Sequence, residues 1–137
     1  ARGLLILTND GELANRIIHP RYKLPKVYLT VVQGRVNEET LGKMVIGARL
    51  EDGFTKPDCV RIVEYKDKNT VIEITFHEGR KHIVKRFLSS FNHPVLNLYR
   101  IEVGPVKLGK LPIGKWRDIT KAELRGLKGG NLPESRN

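Results

Sequence analysis

Hydrophobic and polar positions recur along this chain with two periods, and each change of period marks a change of element. Gly3-Leu4-Leu5-Ile6-Leu7-Thr8 is a short apolar run closed by the turn signal Asn9-Asp10-Gly11, which predicts a buried strand near the first residue. Asn9 or Asp10 suits the N-cap of a helix over about 12–18, and His19-Pro20 ends it. Residues 27–33 (VYLTVVQ) are rich in β-branched and aromatic side chains and stop at Gly34, a second strand. Asn37-Glu38-Glu39-Thr40 opens a helix through about Ile46, with Leu41, Met44 and Val45 at helical spacing. Residues 48–53 read as an edge segment and turn. Residues 59–64 and 70–77 predict a hairpin, since Val71, Glu73 and Thr75 alternate with Ile72, Ile74 and Phe76.

The helical period returns after His77. Ile83, Val84, Phe87, Leu88 and Phe91 form one stripe, while Arg80, Lys81, Lys85 and Arg86 crowd the opening turns beside and opposite it. Gly79, just before the cations, is where a strand would turn sharply into this helix. A helix anchored by one face, with four cations near its start, suits a polyanion. Residues 95–103 and 106–108 predict a strand and its return across Gly104-Pro105, and residues 118–124 a last short helix with an Asp or Thr cap. The polar residues 129–137 are expected to be a disordered tail. The pattern predicts one α+β domain over residues 1–128, a mixed and mainly antiparallel sheet with short helices.

Composition strengthens the polyanion reading. Lys and Arg number 25 against 15 Asp and Glu, a formal net charge of +10, which favours nucleic acid through phosphate attraction. The plainer alternative is a generally basic surface, but here the charge is locally concentrated. With 137 residues, 39% of them hydrophobic, the chain is long enough for one domain with a sizeable core. No apolar run approaches the roughly 20 residues that a bilayer requires, and no signal peptide is visible, so no membrane partner is expected. Cys59 is the only cysteine, which excludes an intrachain disulfide and a thiolate metal cluster. A cytoplasmic monomer is the expectation. His19, His77 and His93 lack ligand-like spacing with any Asp, Glu or Cys, so no metal site is expected.

Four strings, GLLILTNDGELANRIIHP, KVYLTVVQG, EGRKHIVKRF and LYRIEVGPVKLGKLPIGKWRDIT, occur in this order from Gly3 to about Leu127. Together they resemble the RsuA/RluB-type ribosomal RNA pseudouridine synthases. The resemblance implies a pseudouridine synthase-like catalytic domain that isomerises a chosen uridine of ribosomal RNA without cofactor or metal. It also implies a nucleophilic Asp in a Gly-Arg-Leu-Asp string shortly before the Gly-Leu-Leu strand. Only Ala1 and Arg2 precede Gly3, so the Asp is expected a few residues upstream of Ala1, and this chain alone is expected to be inactive. Asp10 is no substitute, because capping a turn explains it without chemistry.

The same resemblance assigns roles. Tyr28, in Lys26-Val27-Tyr28, matches the active-site Tyr, whose ring stacks on a flipped-out base; packing in the core is the alternative. Lys85 matches the basic residue that keeps the carboxylate ionised, with one more phosphate contact as the alternative. Val84 matches an aliphatic wall of the uracil pocket, which core packing explains equally well. His82 borders that pocket, followed by Ile83 where the family has Gln. Arg80, Lys81 and Arg86 read as phosphate ligands or as a solvated face. Arg100, after Leu98-Tyr99, matches an Arg that holds phosphate or structures the site. Trp116 reads as packing rather than a base platform. Two other functions stand beside the enzyme: a non-catalytic RNA-binding or ribosome-assembly module with this fold, and a basic ribosomal structural protein.

Overall fold

A computed structural model of the chain describes residues 2–7, 14, 24–80, 82–107, 117–118 and 120–127. In chain order its elements are β1 (Arg2–Gly3), β2 (Lys26–Gln33), α1 (Glu38–Ile46), β3 (Ala48–Leu50), β4 (Gly53–Thr55), β5 (Cys59–Lys66), β6 (Asn69–Phe76), α2 (Ile83–Ser89), β7 (Val95–Val103), β8 (Val106–Lys107) and α3 (Lys121–Leu127). The main sheet has the order β1-β7-β2-β6-β5, with β8 also on β7. β2 runs antiparallel to both neighbours, while β1 lies parallel to β7. The arrangement is the expected α+β fold. Among the described residues no helix is long and apolar enough to cross a membrane.

One face of the sheet carries the core. Directly opposed residues of antiparallel strands share a face, so Thr30 and Val32 of β2 join Ile72 and Ile74 of β6, all fully buried. Met44 of α1 and the stripe Ile83, Val84, Phe87 and Leu88 of α2 pack on that face. Phe87 meets Phe76 and Phe91 edge to face, at ring-centroid distances of 5.5 and 5.2 Å. A second cluster, Leu4, Val103, Val106 and Leu127, closes the β1 edge. Helix starts follow capping chemistry. The Asn37 side chain accepts the Thr40 amide, and Thr120 and Glu123 accept each other's amides in a capping box, so the last cap is Thr.

Four expectations are corrected. The strand over 3–8 shrinks to Arg2–Gly3, and Leu5 and Leu7 are 70% and 83% exposed. β1 runs along β7 only to Arg100, because β8 already occupies the same edge at Glu102 and Val103. The basic run lies only partly within the helix: α2 begins at Ile83, so Arg80 precedes it while Lys85 and Arg86 fall inside it. The left-handed turn residue is His82, at φ 53°, and Gly79 is not in that region. The edge segment over 48–53 is a hairpin, with β4 missed because Gly53-Phe54-Thr55 is too short to show a period. Of the helix expected over 12–18 only residue 14 is described, and Asp10, Lys81, Trp116 and residues 129–137 lie outside the described residues.

Candidate functional site

The β2–β7 seam assembles the first group. A register shift at residues 27–28 brings Tyr28 directly opposite Arg100, with Ile74 on its other side. Tyr28 is half-buried and packs against the cluster that contains Val84. The Arg100 guanidinium donates from Nε and Nη2 to the Leu4 carbonyl, at 3.0 and 2.7 Å, and the Leu4 amide returns a 2.8 Å bond to the Arg100 carbonyl. Arg100 thus ties the first strand to the sheet. Gly3 permits the approach: it sits at φ 110°, and a Cβ there would strike the Arg100 backbone.

Strand alternation puts Lys26 on the same face as Tyr28, opposite Phe76 and Val103, both buried. Burial, and then the Arg100 charge, push the Lys26 ammonium below its ordinary pKa of 10.5. Its bond to the Leu24 carbonyl is long, at 3.3 Å.

The second group lies before α2. Asp52, in the β3–β4 turn, accepts Nη1 of both Arg80 and Arg86 at 3.0 Å on one oxygen. Arg80 also donates to the Phe54 carbonyl at 3.1 Å and to Glu78 at 2.5 Å, and Glu78 accepts the Thr55 hydroxyl. The Arg86 hydrogen bond holds the Asp52 carboxyl below its ordinary 3.8, and Arg80 does the same for Glu78. These ion pairs strap the β3–β4 hairpin to the lead-in of α2. Beyond it Val84 is buried, whereas His82 and Lys85 are exposed. Among the described residues no carboxylate pairs with Lys85.

The seam therefore brings Tyr28 and Arg100 together, with Val84 in the core against which Tyr28 packs. Arg80 and Arg86 converge elsewhere, on carboxylates within the chain. Three residues of these groups were not singled out in the sequence. Lys26 was within reach, since it shares a face with Tyr28 in the same string. Asp52 and Glu78 had no such signal, because Asp52 meets Arg80 and Arg86 across 28 and 34 positions. An open groove of about 360 Å³, bounded by Ile46, Ala48, Arg49 and Phe91, touches none of the predicted site residues.

Residues 1–90 match the family model described as RNA pseudouridylate synthase. A protein of Aquifex aeolicus (strain VF5), named as an uncharacterized RNA pseudouridine synthase, is 66% identical over 125 residues, which are 91% of this chain and 50% of that protein. Ribosomal large subunit pseudouridine synthase B of Bacillus subtilis (strain 168) is 38% identical over 128 residues, covering 92% of this chain and 52% of its own length. A crystal structure of pseudouridylate synthase superposes with a TM-score of 0.75 at 32% identity, over 88% of this chain and 52% of that one. The chain spans about half the length of the curated relatives it matches.

Proposed function

The chain belongs to the RNA pseudouridylate synthase family, of the RsuA/RluB type, and from that premise we propose that the whole protein isomerises a uridine of ribosomal RNA to pseudouridine. The observation that carries this reading is the family match over residues 1–90, which contain Tyr28 and Lys85. The relative named for the large ribosomal subunit makes large-subunit RNA the first substrate to test.

The reaction adds and removes no atoms. The bond from the base nitrogen to the sugar breaks, base carbon 5 takes its place on the sugar, carbon 5 loses a proton and the freed nitrogen gains one. The target must first leave the stack, which costs a few kcal/mol and favours loops. In this reading the Tyr28 ring stacks on the extruded base and Val84 backs the pocket beside His82. Lys85 holds a nucleophilic carboxylate supplied by residues ahead of Ala1, favouring its charged form. Arg80 and Arg86 lie along the RNA path, and Lys81 adds a third cation to the same run of sequence. Asp52 and Glu78 compete there with RNA phosphates, so the two arginines act mainly by fixing the lead-in to α2.

The loss of the carbon-5 proton supplies the assay, tritium release from RNA labelled at uridine carbon 5, with the full-length protein. Lys85→Met is expected to lower the single-turnover rate on the order of a hundredfold or more, the usual effect of removing one electrostatic group. A full rate in Lys85→Met overturns that residue's role. No release by the full-length protein from any ribosomal RNA, with RNA still bound, favours the non-catalytic RNA-binding module.

A further inference from the structure

Lys26 and Arg100 are two cations in one half-buried place, and among the described residues neither pairs with a carboxylate. Lys26 lies between two buried apolar positions, Phe76 on β6 and Val103 on β7, with a 3.3 Å bond to the Leu24 carbonyl as its hydrogen bond. Arg100 spends Nε and Nη2 on the neutral Leu4 carbonyl. No ion pair involves either side chain among the described residues, whereas Arg61, Arg80, Arg86 and Arg117 each hold an acid. Removing an ammonium from water beside another cation is unfavourable unless an anion enters. Burial, and then the Arg100 charge, push the Lys26 ammonium below its ordinary pKa, in keeping with that imbalance.

We propose that Lys26 and Arg100 together form an anion subsite that holds the backbone phosphate of the nucleotide whose base lies on Tyr28. Its place follows from the strand. Lys26 stands two residues from Tyr28 on the same face, about 7 Å at the usual strand rise, comparable with the reach from a pyrimidine ring to its own phosphate. Arg100 is directly opposite Tyr28 and completes the corner. The subsite binds phosphate and carries no sequence information; it fixes the register of the extruded nucleotide. It rests on the RNA reading above and adds to it a positioning residue, Lys26. A phosphate between the two cations would also restore the Lys26 ammonium toward its ordinary pKa.

The test uses full-length protein and RNA in which one phosphate is replaced by a neutral methylphosphonate. With wild-type protein, the substitution next to the target uridine is expected to weaken binding roughly tenfold or more, the size of a charge-assisted bond, while one several nucleotides away has little effect. Lys26→Met is expected to lower affinity similarly for unmodified RNA and to reduce the salt slope by about 1. Lys26→Arg should keep that slope. Combining Lys26→Met with the adjacent methylphosphonate should cost little more than either alone. Losses that add, or a salt slope unchanged in Lys26→Met with activity lost, overturn the subsite, the latter meaning that the anion is a carboxylate of the protein. If Lys26→Met does not fold, the wild-type arm decides: equal losses at adjacent and distant phosphates overturn it. Each result is separate from tritium release, which tests the reaction itself.

Discussion

One oxygen of Asp52 receives both Arg80 and Arg86 and so ties the β3–β4 turn to the α2 lead-in. Asp52 and Glu78 have carboxyls held below their ordinary values of 3.8 and 4.5, mainly by hydrogen bonds from Arg86 and Arg80. A lowered folded-state pKa means that the strap is fully present above the ordinary values and is lost as pH falls through the lowered ones. Amide exchange of residues 48–55, corrected for the intrinsic pH dependence, should therefore show constant protection above about pH 5 and falling protection in acid. Asp52→Asn should lower that protection at neutral pH; unchanged protection would show that backbone pairing alone holds the hairpin. This strap could not be read from the sequence, because its partners meet only after the hairpin has folded. The face of Tyr28 is legible by contrast: β2 alternates, so Tyr28 shares its face with Thr30 and Val32, which the structure buries completely.

Among the elements, legibility follows how much of the pattern is set by burial. β2, β5, β6 and β7 each fall within a few residues of their expected spans, because alternating side chains must choose the core face or the solvent face. The stripe of α2 was likewise visible in Ile83, Val84, Phe87 and Leu88, all buried as expected. What the pattern did not reveal were the edges. β1 stops where β8 claims the rim of β7, and α2 starts late because Arg80 is bound to the hairpin. The stripe carries the weight of the packing, with Phe87 fully buried between Phe76 and Phe91. Phe87→Ala should cost about 3–5 kcal/mol in chemical denaturation, the usual range for truncating a buried aromatic. A loss under about 1 kcal/mol would mean that α2 is not fixed by its buried face. Lys85→Ala, on the exposed side, should leave stability within about 0.5 kcal/mol.

At the scale of the molecule, charge and topology act together. The net charge of +10 favours polyanions, and β2 at the centre of the sheet holds Lys26 and Tyr28 beside Arg100 and the first strand. Arg100 grips the Leu4 carbonyl, so the first strand is tied to the sheet beside Tyr28. The most direct test of this account is mass-spectrometric pseudouridine mapping on unmodified large-subunit ribosomal RNA, incubated with this chain and, in parallel, with the full-length protein. The account predicts one defined pseudouridine with the full-length protein and none with residues 1–137 alone. Pseudouridine formed by this chain alone would contradict the placement of the nucleophile ahead of Ala1, and no pseudouridine from either on any ribosomal RNA would contradict the enzyme.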